Sequence, residues 1–185
     1  MNAYEIRALK DMGIDPGKLG CVMLDVTTPD LAGVIPDEWC YTSAHPDRFW
    51  VSGRQSEGHM TMLYGLLSHA TDIRPAIDEV LDGWEPGPVQ GCEVTVFPSP
   101  WEDEPYSCVV SELSLTSQLR DGHARLSLLP HIDTHPVYRP HVTLAYVHKD
   151  REHDAVAAVR RRFKAHDSFC RIDFEPIGLN YGAKR

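Results

Sequence analysis

Two short segments carry residue types that can do chemistry without a cofactor. One reads His59-Met60-Thr61-Met62-Leu63-Tyr64 and the other His141-Val142-Thr143-Leu144-Ala145-Tyr146. Both follow the order His, apolar, Thr, apolar, apolar, Tyr. The chain has ten His and nine Thr in 185 residues. Composition alone then gives roughly 0.5 bare His-x-Thr matches, and roughly 0.001 once three apolar positions and the Tyr are required. The pair is therefore an internal repeat. Two imidazoles suit acid–base work: one neutral ring takes a proton from a nucleophile, and one imidazolium gives a proton to a leaving oxygen. An unperturbed histidine pKa of ~6.5 makes both states accessible near neutrality. Threonine hydroxyls can donate to phosphoryl oxygens where negative charge builds. No metal or other cofactor is required by this scheme.

Strand geometry turns the pattern into a site. Side chains alternate between faces, so His59 and Thr61 are expected on one face with Met60, Met62 and Tyr64 on the other. The same expectation places His141 and Thr143 opposite Val142, Leu144 and Tyr146, with both tyrosines packed in the core. If the two halves are related by a pseudo-two-fold axis, the two His–Thr pairs face each other across a cleft.

The paired motifs, their spacing and the flanking helices resemble the 2H phosphoesterase superfamily. That group includes bacterial RNA 2′,3′-cyclic phosphodiesterases once called 2′-5′ RNA ligases, eukaryotic cyclic phosphodiesterases, and phage anti-CBASS nucleases. The resemblance implies two pseudo-symmetric α+β lobes around a central cleft. It also implies that His59 and His141 are the acid–base pair and that Thr61 and Thr143 contact the phosphate. Element order is similar over roughly residues 20–180, but the specific matches are the two motifs and Pro140. Gly58 stands where many members have Pro, and residues 28–58 resemble nothing assignable.

The elements that must position these residues can be read from periodicity. Strands are expected at 20–27, 59–64, 91–97, 106–113, 141–147 and 168–179, and helices at 3–12, 72–84, 114–129 and 151–165. Asp72 is the expected cap of the second helix, and Gly122 weakens the third. Strands clustered between helices argue for an α+β fold with mainly antiparallel sheets, and the resemblance implies one bilobal domain over 1–185. Residues 28–58 lack periodicity and hold several Pro and Gly residues. So long a loop suggests a lid or specificity element beside the cleft. Its aromatics, Trp39, Tyr41, Phe49 and Trp50, either pack onto the body or cover a bound base.

Further candidates are weaker. Arg139 shares strand parity with His141 and could meet a phosphate, unless Pro140 breaks the register. Trp101, in an acidic turn-rich loop, could stack on a base, although packing back on the sheet is commoner. Tyr181 follows the last strand and could reach the cleft. His131, Asp133 and His135 offer metal-ligand types, but in a Pro-bounded connector without helical spacing, so solvated loop residues are the expectation and no metal site is assigned. The run from Arg160 to Lys164 is read as a solvated helix face. The five cysteines share no CxxC spacing and are expected reduced, in a cytoplasmic protein (host cytoplasm if phage-encoded).

Composition bounds the partners. Eighteen Lys and Arg against 27 Asp and Glu give a net charge of −9. That balance disfavours tracking long duplex nucleic acid, whose binding rests on many phosphate contacts. No apolar run is long enough for a membrane helix, and the start shows no signal-peptide pattern. The expected partner is a small anionic nucleotide, with short RNA ends the alternative. The expected activity is phosphodiester cleavage, with a cyclic di- or oligonucleotide signal and phage immune evasion as the favoured setting. RNA 2′,3′-cyclic phosphate processing and a non-catalytic nucleotide sponge are the alternatives.

Overall fold

The computed structural model describes residues 9–15, 19–48, 50–101, 103–133, 137–164 and 170–183. Of the expected first helix, residues 9–11 are helical, and 3–8 lie outside the described residues. Seven strands form two antiparallel sheets. The first sheet has the order β2-β1-β7, from Gly20–Thr27 (β1), Glu57–Leu66 (β2) and Pro176–Ala183 (β7). The second has the order β5-β4-β3-β6, from Val89–Pro98 (β3), Tyr106–Leu113 (β4), His141–His148 (β5) and Ile172–Phe174 (β6). Helices Arg74–Val80 (α1), Ser117–Leu126 (α2) and Glu152–Arg162 (α3) flank them. The fold is α+β with two lobes of antiparallel sheet, as expected. α1 meets α2, α2 lies on β2, and α3 lies on β3, β4 and β5.

Each element has a local cause. β1 is the middle strand of its sheet, and Cys21, Val22, Met23, Leu24 and Val26 are all buried. α2 is capped by Thr116, whose hydroxyl accepts from the Leu119 N–H at 3.2 Å. Its Gly122 is required by contact, because a Cβ there would lie 2.6 Å from the Trp84 ring. α1 is shorter than the periodicity implies. It begins after Ile73 rather than being capped by Asp72, whose N–H closes a preceding turn onto His69 O. It ends where Gly83 adopts a φ of 65°, a left-handed conformation that glycine enters without strain.

The expected single terminal strand over 168–179 is two strands in different sheets. β6 pairs with β3, and β7 pairs with β1. The changeover is at Glu175, which exchanges two hydrogen bonds with Thr27: Thr27 N–H donates to Glu175 O (2.9 Å) and Glu175 N–H to the Thr27 hydroxyl (3.1 Å). Pro176, lacking an N–H, then occupies the first position of β7, where a strand tolerates it.

Both motif strands, β2 and β5, are edges of their sheets, and each outer edge is covered by a segment from the other half of the chain. Residues 40–41 and 53–55 run along β5: Tyr41 N–H donates to Tyr146 O, Tyr146 N–H to Gly53 O, and Gln55 N–H to Leu144 O, all at 2.8 to 3.0 Å. Residues 130–132 run along the end of β2, with Ile132 N–H on Gly65 O and Leu67 N–H on Pro130 O. Covering an edge satisfies its backbone groups and blocks unwanted pairing. The 28–58 segment is thus fastened to the body rather than hinged over it. Leu31, Ile35 and Val51 are buried. The Thr28 hydroxyl donates to Gln55 O (2.8 Å), and Arg54 pairs with Asp37 and donates to Ile35 O.

Candidate functional site

The two motif strands meet at one place. A Cβ on Gly58 would lie 2.9 Å from Val142 Cγ1 and 2.5 Å from Thr28 Cγ2. Gly58 precedes His59 and Val142 follows His141, so this contact adjoins both histidines in sequence. This explains why the smallest residue stands there.

Register shows what surrounds each motif. Across the β1–β2 ladder, His59 is opposite Asp25 and Thr61 is opposite Met23. Across β4–β5, His141 is opposite Glu112 and Thr143 is opposite Val110. Immediately beyond each threonine the ladder slips by one residue. Met23 pairs with Thr61 but Val22 with Leu63, so Met62 is extra; Val110 pairs with Thr143 but Val109 with Ala145, so Leu144 is extra. The internal repeat therefore extends to a β-bulge at the same motif position.

The bulge overturns one expectation. Beyond it the alternation reverses, and Tyr64 pairs with Cys21 and Tyr146 with Cys108. Cys21 lies on the Met23 and Asp25 face, and Cys108 on the Val110 and Glu112 face. Tyr64 and Tyr146 thus share the His–Thr face instead of the opposite one. Met62 and Leu63 are both buried, as are Leu144 and Ala145, while each tyrosine is half-buried. The apolar doublet in each motif was the available sign of this. Burial pushes the phenols of Tyr64 and Tyr146 up, so both remain hydroxyls able to donate.

Each histidine sits beside a carboxylate, but the two carboxylates are held differently. Asp25 accepts from the neutral Asn180 amide at 3.1 and 3.3 Å. Glu112 is paired with the Arg139 guanidinium. Glu93, next along the strand row from Glu112, is paired with Arg160 at 3.0 Å. His141 Nδ1 lies 2.9 Å from Arg139 O. A carbonyl only accepts, so Nδ1 carries the proton in that bond and Nε2 is the nitrogen that can exchange one. The Phe97 ring meets His141 edge-on, with centroids 4.8 Å apart. His59 is exposed, whereas Thr61, His141 and Thr143 are half-buried.

The remaining candidates are placed as follows. Arg139 is beside His141 as its parity suggested, but its guanidinium is engaged by Glu112 and lies 5.6 Å from the Phe97 ring centroid. Tyr181 is directed away from the site: it pairs with Val22, on the face opposite Asp25, donates to Asp78 Oδ1 (2.8 Å) and lies under Arg74. Trp101 is half-buried, covered by Arg48 at 4.4 Å and 6.3 Å from Tyr106. It belongs to an aromatic group with Tyr41, Tyr106 and Tyr146 at the far end of the His141 face. Trp39 packs against the core, and Trp50 is half-buried; Phe49 lies outside the described residues. His131 Nδ1 donates to Leu129 O at 2.8 Å, and His135 lies outside the described residues. Among the described residues no three His, Cys, Asp or Glu side chains form a group that could hold a metal ion. The five cysteines are free thiols. Arg160 is exposed, as expected of a solvated helix face, and also binds Glu93 and Val94 O. No helix among the described residues is long and apolar enough to cross a membrane.

Asp25, Glu112 and Phe97 escaped the sequence reading. Their role depends on which residues of neighbouring strands lie opposite one another, which local pattern does not carry.

No family model matches the sequence, and no curated protein matches it significantly. Solved structures do resemble it. The structure of Usb1 from Kluyveromyces marxianus superposes with a TM-score of 0.51 at 10% identity, covering 91% of this chain and 96% of that one. The structure of the same protein with uridine monophosphate gives a TM-score of 0.53 at 11% identity, covering 91% and 97%. At such identities the likeness is one of fold.

Proposed function

We propose that the chain is a 2H-type phosphodiesterase that cleaves a nucleotide phosphodiester through His59 and His141. The observation that carries this reading is the meeting of two His-x-Thr strands, each with the same bulge, at Gly58 and Val142. In the proposed reaction one imidazole Nε2 removes the proton of the attacking oxygen, and the other ring, as imidazolium, protonates the leaving oxygen. Thr61 and Thr143 donate to the non-bridging oxygens, with Tyr64 and Tyr146 on the same face as further donors. Charge develops on those oxygens in the transition state, where fixed donors contribute most.

The uridine monophosphate held by a structural neighbour supports a nucleotide ligand. It favours a single nucleotide or the end of an RNA chain. The acidic balance of the chain favours small substrates over long RNA. Cyclic di- and oligonucleotide signals, with an immune-evasion role, are the second arm of the proposal. The deciding experiment incubates the protein in EDTA with short oligouridylate, 2′,3′-cyclic-phosphate RNA, linear 2′-5′ oligonucleotides and cyclic di- and oligonucleotides. Products are identified by mass. Turnover of any of these by the wild type, absent from His59→Ala, supports the reading and names the arm. Recovery of bound but intact ligand identifies a sponge instead.

A further inference from the structure

We infer that His123 and Tyr138 are positioning residues that set the pose of Thr61 and hold the two motifs in one frame. The inference rests on the catalytic reading above.

The two rings are stacked, with centroids 3.9 Å apart and planes 1° from parallel. Between them they reach two successive carbonyls of β2, at the bulge. His123 Nδ1 lies 2.7 Å from Met62 O, and because a carbonyl only accepts, Nδ1 is the donor. The Tyr138 hydroxyl donates to Thr61 O at 3.3 Å. In the other motif, the carbonyl of the bulged Leu144 is held by the Gln55 backbone N–H at 2.9 Å. The repeat thus needs a donor at each bulge. The second motif receives it from a backbone edge cover, and the first receives it from two side chains.

Those side chains come from different places. His123 is on α2, which lies on β2. Tyr138 belongs to the lead-in of β5, one residue before Arg139, whose carbonyl orients His141. The next residue, Pro140, accepts from Leu113 N–H at 2.9 Å and pins the lead-in to β4. Residues 138–140 therefore fix the pose of His141 at one end and of Thr61 at the other. A bulge without its donor can relax along the strand. Displacement of a reacting group by about 1 Å costs up to about a hundredfold in rate.

The test uses His123→Ala, His123→Asn and Tyr138→Phe, with His59→Ala as the blank. Turnover of short oligouridylate and of 2′,3′-cyclic-phosphate uridine is measured as kcat and KM. Backbone deuterium exchange is followed over 59–64 and 141–146. His123→Ala is expected to lower kcat about ten- to hundredfold with KM within about twofold, and to speed exchange over 59–64 more than over 141–146. His123→Asn, whose amide N–H can stand near Nδ1, should recover most of both. The double variant His123→Ala/Tyr138→Phe should cost less than the two singles combined, since the rings act together. Unchanged kcat with the clamp removed, or exchange over 59–64 indistinguishable from wild type, overturns the inference. If the wild type turns over no member of the wider substrate panel above faster than His59→Ala, the catalytic reading fails by itself, and the exchange data alone decide whether the pair holds the bulge.

Discussion

The residue scale is where the two histidines become unequal. His59 faces Asp25, which accepts from the neutral Asn180 amide, while His141 faces Glu112, which Arg139 neutralises. Glu57 adds a second carboxylate on the His59 face. A nearby carboxylate favours an imidazolium over a neutral ring, so Asp25 is the charge to remove in a test of which histidine is the acid. Replacing either histidine by Ala should cost ~10²- to 10⁴-fold in turnover, and the double variant should be little worse than the worse single one. The rate should be bell-shaped in pH, with apparent values belonging to the pair. Asp25→Asn removes a charge that favours the protonated ring. One limb should then move to lower pH while the other stays. Movement of the alkaline limb identifies His59 as the acid, and movement of the acid limb makes it the base. A profile unchanged by Asp25→Asn would mean that the carboxylate is not felt at the ring.

At the scale of elements, the bulges and the edge covers decide the geometry. Gly58→Ala places a methyl group within 3 Å of Val142 and Thr28 and should separate the motif strands. Turnover should fall more than tenfold, with a smaller loss of thermal stability, because the strain falls on the motif junction. Trp39→Ala should lower the melting temperature and leave kinetics of the folded fraction unchanged, since Trp39 packs on the core. A raised KM with no change in melting temperature would return the 28–58 segment to the role of a substrate cover. The strands and helices were legible because their periods are local. The two extra residues at the bulges were half-legible: Met62-Leu63 and Leu144-Ala145 break the alternation, but a strict two-residue period puts Tyr64 and Tyr146 in the core. The edge covers were illegible, because main-chain bonds such as Gln55 to Leu144 leave no mark on side-chain pattern. Gly122 could be seen as a weak helix residue, but its cause, the Trp84 ring, lies in another segment.

For the whole molecule, the halves are tied to each other rather than merely apposed. Residues 41 and 53–55, from between β1 and β2, cover β5, and residues 130–132 with Tyr138, from between α2 and β5, cover and clamp β2. A further tie joins the 43–48 turn to the β3–β4 loop: Arg48 pairs with Asp103 and with the buried Glu104, which also accepts from the Ser43 hydroxyl. Arg48 holds the Asp103 carboxyl below its ordinary range. With the folded value depressed, this contribution is present above the unfolded pKa near 3.9 and is lost as pH falls through the folded value. Acid unfolding below about pH 4 should therefore begin earlier in wild type than in Asp103→Asn when each is referred to its own stability at pH 7. A parallel acid limb in the two proteins would remove Asp103 from the account.

The change of sheet at Glu175 also bears on the order in which a ribosome delivers the chain. β1 and β2 emerge early, but β1 has its second neighbour only when Pro176–Ala183 arrives, after every strand of the other sheet. Until then the flank of β1 that will meet Asn180 and Gly178 is an open, apolar template. Nascent chains arrested with 175 residues outside the exit tunnel should therefore be cut by protease within the β1–β2 hairpin, while the β3–β4–β5 region resists. Chains arrested with residue 183 clear of the tunnel should be protected in both. Equal protection at the two lengths would show that the first sheet closes without its last strand, and that this late arrival leaves no window for mispairing between neighbouring nascent chains.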